Sequence, residues 1–588
     1  MLFSLRRCWR LLIILLTPLF LLPLPLCIHS AQARCAYIVL LLTVYWVSEA
    51  VPYAVTSLFP LALFPMLNIL PGDEIGHNYF KDITTLFLGS MTLAHAMEYV
   101  HLHRRLALFV LSFVGASVKW SMAGLMSVTA FISMWINNSA ATSIMLPVAI
   151  AIVDQLENYE KETFSNVQPA QEMVPIDTDV VFDVKTMTEE ENENKGILNN
   201  TNTNMNDELT PFNNSPGDHH KSIFNYQKLK CGFLIAVAYS AALGGLTTLV
   251  GTGPNIFVKG FIDQMYEDDK KFKFEISFGN FFLYALPIGL IMLIFCWLWL
   301  QILYNRKDFF RWKKDKNEHE REKHLQSILK QQYKDLNSLT WQEIIIICLF
   351  IILILLWVIR DFSDDRWLII FKKEYATDGT IALFIGTLPL VLPDKNPFQE
   401  NWQYNPILPW NHLSKTFPWG VFMLQGAGLA IADGFKTSDL SSTMATFLRF
   451  IIGAPQIIVI LFVITISAIF TEFTSNLACA SILFPILHSI ATIANIHPVY
   501  LIMPSCIAVS LSFMLPIATP PNAMILSNNN VKITDLIKAG IGIKLFGIVV
   551  IFIESILLLT YIFGIDEMTT LFNSTILINS TLTNSTLN

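Results

Sequence analysis

Asn137-Asn138-Ser139-Ala140-Ala141-Thr142-Ser143-Ile144-Met145-Leu146-Pro147 and Ser475-Asn476-Leu477-Ala478-Cys479-Ala480-Ser481-Ile482-Leu483-Phe484-Pro485 are two versions of one phrase. In each, Asn precedes Pro by nine positions and a Ser-Ile pair lies between them. Each is followed by a second shared phrase, Gly251-Thr252-Gly253-Pro254-Asn255 after the first and Ala518-Thr519-Pro520-Pro521-Asn522 after the second. Asn138 to Asn255 spans 117 residues and Asn476 to Asn522 spans 46, a difference of 71 that is close to the length of a polar insertion in the first half. The chain is therefore a duplication with a loop added to its first copy.

The surroundings of these phrases are apolar. Of 588 residues, 53% are hydrophobic and only 14% charged, well outside the average for soluble domains. A spanning helix takes roughly 20 mostly apolar residues, and the chain holds about ten such windows. That excludes a soluble enzyme, a nucleic-acid binder and a disordered scaffold. The runs are continuous rather than alternating, which argues against a β-barrel. The eight cysteines lie in or beside apolar stretches without metal-ligand spacing and read as packing residues.

Arg6, Arg7 and Arg10 precede the apolar run Leu11 to Cys27, and Ala31-Gln32-Ala33 follows it, so the segment is a cleaved signal peptide or a first spanning helix. The run is long for a signal, which favours a retained helix with its N-terminus in the cytoplasm. Residues 154–228, rich in Asn, Asp, Glu and Thr, read as a disordered cytoplasmic loop. Residues 304–341 read as a basic cytoplasmic loop, with ten Lys and Arg between Arg306 and Lys334. Asn573, Asn579 and Asn584 each open an N-x-[ST] sequon in the tail 567–588, which reads as extracellular and glycosylated. An inside N-terminus and outside C-terminus need an odd number of crossings. The windows give eleven if those at about 120–153 and 452–490 enter and leave on one side.

Five spans then separate these two re-entrant hairpins, which places them on opposite faces. The first repeat covers 1–153 and 229–303, with its broken helix at 251–255; the second covers 342–566, with its broken helix at 518–522. Inverted repeats with interrupted helices are typical of secondary transporters, whose site lies near the midplane. Asn, Ser and Gly free terminal N–H and C=O groups, which membrane depth tolerates only against protein, ligand or ion. Helix N-termini attract an anion, and carbonyl and amide oxygens a cation such as sodium. Ser133 and Thr471, each four residues before its motif, add a hydroxyl one helical turn away. The competing reading is that such turns only pack helices; four motifs in matched pairs weigh against it.

No Lys, Arg or His stands near the four motifs in sequence, so an anion would be held by amides, hydroxyls, helix dipoles and co-bound cations. Glu472 is either a proton carrier or a brace for the hairpin; the absence of a matching acid in the first motif favours the brace. Glu49 reads as a structural helix-end residue. An ion channel would need a continuous lined pore, and a membrane enzyme a nucleophile, acid/base or metal set; no HExxH or GxSxG spacing occurs.

Trp46 to Pro52, Leu102-His103-Arg104-Arg105-Leu106-Ala107-Leu108, Gly244 through Asn255, Thr471 to Asn476 and Phe513 through Asn522 resemble signatures of the divalent anion/sodium symporter family, the animal sodium-coupled carboxylate and sulfate cotransporters. The resemblance runs from about Trp46 to Gly564 apart from the two polar loops. It implies an all-α polytopic membrane protein of eleven transmembrane helices plus two re-entrant hairpins, a homodimer in lipid, and an elevator movement of a transport domain against a scaffold. It implies no enzymatic cofactor, with sodium ions as co-transported substrates. It further implies a first sodium site from Ser133, Asn137, Asn138 and the backbone at Gly251, and a second from Thr471, Thr474, Asn476 and the backbone at Ala518. Substrate contacts would come from Asn138, Ser139, Thr252, Asn476, Leu477 and Thr519.

The sequence departs from the family's Ser-Asn-Thr signature at Asn137 and at Leu477, which lacks a hydroxyl. It departs again at Gly426-Ala427-Gly428, where the family carries three glycines. Ala140-Ala141-Thr142, Gly253-Pro254-Asn255 and Thr519 to Asn522 look like the carboxylate branch; Gly245-Leu246-Thr247-Thr248 looks closer to the sulfate branch. The expectation is a plasma-membrane sodium symporter for dicarboxylates or citrate, with sulfate as the alternative. A channel or a proton-coupled anion transporter is more remote.

Overall fold

The computed structural model describes residues 2–113, 117–167, 217–266, 276–306, 338–362, 375–399, 402–440, 454–494, 496–516, 518–527 and 530–565, with a few isolated positions between them. The described chain is helical throughout, apart from connecting turns and one isolated bridge between Pro393 and Pro406.

Each repeated phrase is the turn of a helical hairpin. Helix Val118–Ser133 is followed by helix Asn138–Val167, and helix Gln456–Phe470 by helix Asn476–Ile493. The returning helices start where they do because Asn137 and Ser475 are N-caps. Asn137 Oδ1 accepts from Ala140 N at 2.7 Å, and Ser475 Oγ accepts from Ala478 N at 3.3 Å. Asn and Ser are both preferred caps, so the exchange of one for the other costs little. Pro147 and Pro485 lie inside the returning helices at matching depth.

The second phrase marks a broken helix in each half. Helix Gly217–Gly245 gives way to helix Gly253–Tyr266, and helix Val499–Ala508 to helix Pro520–Ser527. The interruptions therefore cover 246–252 and 509–519, upstream of the expected 251–255 and 518–522. Gly253-Pro254-Asn255 and Pro520-Pro521-Asn522 open the next helix, because Pro is tolerated in a first turn where its missing N–H has no helical partner.

The halves interlock. Helix Asn138–Val167 packs on Pro520–Ser527, and helix Asn476–Ile493 packs on Gly253–Tyr266, so each hairpin grips the other half's broken helix. Glycines set the close approaches: a Cβ on Gly244 would lie 2.1 Å from Ala130 O in the first hairpin. Alongside, helices Asp82–Tyr99 and Asp378–Thr387 touch backbone to backbone, and a Cβ on Gly386 would lie 2.1 Å from Gly89 O. Small residues permit such contact between membrane helices.

Among the described residues, six helical segments are long and apolar enough to span a bilayer, including Ala31–Ser48, Phe278–Tyr304, Trp341–Arg360 and Ile533–Leu557. Helix Ile533–Leu557 exposes Ile541, Leu545, Val549, Ile553 and Leu557, one row at four-residue spacing, while Leu536, Ile543 and Ile551 are buried. A row this apolar is matched to lipid rather than water. Cys35, Cys231, Cys296, Cys479 and Cys506 are buried and unpaired.

The polar segment expected to be a loop over 154–228 is helical at both ends, to Val167 and again from Gly217. Residues 155–162 are mostly Gln, Glu and Lys with a Leu, good helix formers, and extending a helix already nucleated costs little. Residues 168–216 of that segment, most of the basic loop and the three sequons of the tail lie outside the described residues. Glu49, expected at a helix end, is the left-handed C-cap of Ala31–Ser48, with φ 50°.

Candidate functional site

Two equivalent constellations lie at the hairpin turns of the interlocked halves. In the first, Ser133 Oγ donates to Asn138 Oδ1 at 2.8 Å; in the second, Thr471 Oγ1 donates to Asn476 Oδ1 at 2.9 Å. The last turn of the incoming hairpin helix thus carries a hydroxyl that fixes the first amide of the returning one. Thr471 Oγ1 also lies 2.5 Å from Val509 O, at the start of the second interruption, and Thr248 Oγ1 donates to Met134 O at 2.6 Å across the first. Hairpin tip and helix break are bonded in both halves.

Asn255 and Asn522 hold the breaks open. Asn255 Nδ2 lies within 3.3 Å of Gly245 O and 2.7 Å of Thr248 O, ten and seven residues back. Asn522 Nδ2 reaches Ser512 O at 3.1 Å and Leu515 O at 3.2 Å, again ten and seven back. One amide so satisfies carbonyls that the broken helix has orphaned.

Gly245 and Ser512 occupy matching positions and differ in effect. A Cβ on Gly245 would lie 2.1 Å from Asn138 Oδ1, so only glycine lets that oxygen sit against the backbone. Ser512 Oγ instead donates to Asn476 Oδ1 at 2.9 Å.

Of the residues proposed for the first sodium site, Ser133 and Asn138 are bonded. Gly251 lies against the Gly245 carbonyl, where its Cβ would be 2.3 Å away, and Asn137 spends its side-chain oxygen on the helix cap. Of the second, Thr471 and Asn476 are bonded, Thr474 Oγ1 is buried without a partner among the described residues, and Ala518 is buried at the end of the break. Among the substrate-contact candidates, Thr252 Oγ1 is buried without a partner among the described residues, Thr519 is buried, and Leu477 packs on Gly253, whose Cβ would lie 3.2 Å from Leu477 Cδ2. Asn138, Ser139 and Asn476 are half-buried at the starts of the two returning helices.

Glu472 is a brace. Its carboxylate accepts from the backbone N–H groups of Phe513, Met514 and Leu515 at 3.0–3.2 Å and pairs with Lys544. Lys544 also donates to Ala468 O at 2.6 Å. The expectation that no basic residue stands near the motifs fails twice: Lys259, four residues after Asn255, is buried and donates to Ile276 O at 2.6 Å, and Lys544 reaches the second hairpin from a helix that is remote in sequence. Lys544, the deeper of two lysines in the apolar run 533–557, was the available signal, since a buried ammonium demands a partner.

Arg105, from the Leu102–Leu108 phrase, is tied to Glu343 at 2.9 Å and to the Leu336 carbonyl, a structural role at the start of helix Trp341–Phe362. Gln425, beside the Gly426-Ala427-Gly428 departure, is buried with neither amide atom partnered among the described residues, and sequence reasoning missed it.

The family model described as the sodium:sulfate symporter transmembrane region matches residues 5–564. The chain belongs to the sodium:sulfate symporter family. It is 33% identical to rat solute carrier family 13 member 1 over 95% of this chain and 96% of that protein. It is 33% identical to the rat Na(+)/citrate cotransporter over 92% and 93%, and 31% identical to the human Na(+)/dicarboxylate cotransporter 3 over 92% and 90%. As a member of this family the chain is a multi-pass, all-α membrane transporter coupled to sodium, and not an enzyme.

Proposed function

We propose that the protein imports dicarboxylates of the succinate type, and citrate, across the plasma membrane, driven by sodium. The reading rests on the paired constellations Ser133–Asn138 and Thr471–Asn476, each a hydroxyl and an amide oxygen at the start of a returning helix. The first sodium ion is held by Ser133, Asn137, Asn138 and the Gly251 backbone, the second by Thr471, Thr474, Asn476 and the Ala518 backbone. Oxygen ligands of this kind suit a hard cation. The carboxylates then meet Asn138, Ser139, Thr252, Asn476, Leu477 and Thr519, which stand at or beside the N-termini of four helices.

Sodium supplies what the side chains lack. Lys544, whose ammonium reaches the second hairpin, is already paired with Glu472. Each sodium ion about 4 Å from a carboxylate contributes roughly 4 kcal/mol at an effective dielectric of about 20. A dianion among neutral dipoles alone is poorly compensated, so sodium binds first, orders the hairpin tips, and the anion follows. Transport is an elevator movement of the hairpins and broken helices, in a homodimer with eleven crossings per chain, a cytoplasmic N-terminus and an extracellular, glycosylated C-terminus.

Three carboxylate-like phrases and the names of the citrate and dicarboxylate relatives support the substrate class. Gly245-Leu246-Thr247-Thr248 favours a second reading, sulfate in the same site. Uptake of radiolabelled succinate, citrate and sulfate into cells expressing the chain, with sodium or choline outside, decides between them. Sodium-dependent carboxylate uptake is expected. Sulfate uptake alone replaces the substrate and keeps the mechanism, and no uptake of the three with protein at the surface rejects both.

A further inference from the structure

Helix Gly253–Tyr266 carries the first broken helix away from the hairpin tips and makes two polar contacts with helices outside the hairpins and breaks. On one side, Lys259 Nζ lies 3.8 Å from Asp378 Oδ2, on helix Asp378–Thr387. On the other, Gln264 Nε2 donates to the Asp433 carboxylate and lies 3.4 Å from Leu429 O, both on helix Trp419–Ser438. Lys259, Gln264 and Asp378 are all buried. The helix that Lys259 reaches is anchored elsewhere: it lies backbone to backbone with Asp82–Tyr99, and its N-cap Thr377 bonds to Asp82.

Each group in these contacts also has a partner on its own side. Asp378 pairs with Arg360 of helix Trp341–Phe362, and Asp433 accepts from Asn78 Nδ2 at 2.6 Å. Lys259 donates to Ile276 O at 2.6 Å and stands 3.3 Å from Asp263, one helical turn on. Ile276 leads into helix Phe278–Tyr304, which packs on the broken helix Gly217–Gly245. A buried charge that loses its only partner is strongly destabilising. Here separation strands none, because Asp378 keeps Arg360, Asp433 keeps Asn78 and Lys259 keeps Asp263. At 3.8 Å the Lys259–Asp378 contact exceeds hydrogen-bond length and acts through charge alone. Beside it, Gly260 lets the helix lie on Ile83, whose Cγ2 would be 2.6 Å from a Cβ there.

We infer that Lys259 and Gln264 form a two-point latch, which holds the first broken helix against Asp378 and Asp433 in this conformation and releases when the hairpins and breaks move. The inference rests on the elevator reading. Neither residue belongs to the sodium or substrate sets; both are positioning residues, which set how the molecules divide between the two ends of the movement.

The test measures that division directly. Spin labels go on Ser127→Cys in the first hairpin and Thr387→Cys on helix Asp378–Thr387, both exposed positions, with Cys8 and the exposed Cys27 and Cys348 replaced by serine. The purified full chain, in phosphatidylcholine nanodiscs and diluted with unlabelled chain, is read by double electron–electron resonance. One distance dominates in choline, and a second appears with sodium plus succinate, citrate or sulfate. Lys259→Met and Asp378→Asn each shift the ratio of populations at least ~5-fold toward the second distance. The combination goes no further than Asp378→Asn, since both remove one contact. Lys259→Arg keeps the parent ratio, and Gln264→Leu adds its own shift to that of Lys259→Met.

Unchanged populations in Lys259→Met and Asp378→Asn, with the second distance still appearing with sodium and an anion, overturn the latch and leave the elevator reading standing. A single distance under every condition rejects the movement and the latch together. Additive effects of Lys259→Met and Asp378→Asn reject the pairing. If Asp378→Asn does not fold, Lys259→Met against Lys259→Arg carries the test, and equal populations in those two overturn the proposal. Because any of the three anions serves to drive the movement, a failure of the carboxylate reading in the uptake assay leaves this outcome separate.

Discussion

Glu472 pairs with Lys544 while its two oxygens accept the backbone N–H groups of Phe513, Met514 and Leu515. One carboxylate thereby joins the second hairpin, the second helix break and helix Ile533–Leu557. Both partners are buried, so removing either strands a charge in the interior, at a cost of about 3–5 kcal/mol. Glu472→Gln and Lys544→Met are each expected to lower the melting temperature and the surface yield. The double variant, in which neither charge is stranded, recovers part of the loss. The brace and the proton-carrier alternative separate on the pH profile of uptake: Glu472→Gln lowers the rate without moving the profile, and a displaced profile would restore the carrier role.

Asn138→Ala and Asn476→Ala test the central pairing. Each substitution removes the amide oxygen bonded to Ser133 or Thr471 and leaves that hydroxyl buried. Uptake is expected to fall at least ~100-fold, equivalent to about 2.7 kcal/mol, with the protein still at the surface by biotinylation. Near-normal uptake in both variants would reject the site.

Gly245 and Ser512 predict opposite sensitivities at matching positions. Gly245→Ala drives a methyl group to 2.1 Å from Asn138 Oδ1 and should abolish uptake by displacing that amide. Ser512→Ala removes one bond to Asn476 Oδ1, worth about 0.5–1.5 kcal/mol. Its expected effect is a few-fold rise in the sodium concentration for half-maximal uptake, measured in a sodium titration. Equal effects from the two variants would show that the asymmetry between the halves is without consequence.

How far the sequence reaches is visible in the same residues. The hairpins, the matched breaks and the hydroxyl four residues before each motif follow from spacing, because a helix brings such positions onto one side. The location of the breaks does not. Gly253-Pro254 and Pro520-Pro521 look like the interruption and in fact start the next helix, since a proline's missing N–H disturbs an interior turn but not a first one. The helical ends at 154–167 and 217–228 were hidden for a similar reason: a polar composition speaks of solvent, not of helix propensity. Lys544, Ser512 and Gln425 enter through tertiary contacts that no local pattern carries.

Asn255 and Asn522 give the last prediction. Each side-chain N–H group satisfies carbonyls released by its helix break, and neither residue has been given a role in holding sodium or substrate. Replacement by Asp keeps the size but loses the donor and sets an acceptor against carbonyl oxygens. The loss of stability is expected at about 1–3 kcal/mol for each orphaned group, seen as a lower melting temperature in both variants. Because the same loops carry Gly251 and Ala518, the half-saturating sodium concentration should rise together with the loss of stability. Were Asn255→Asp and Asn522→Asp to melt like the parent chain, the breaks would be held by hairpin packing alone. The tenth- and seventh-residue bonds shared by the two halves would then be a by-product of duplication rather than what keeps each helix open.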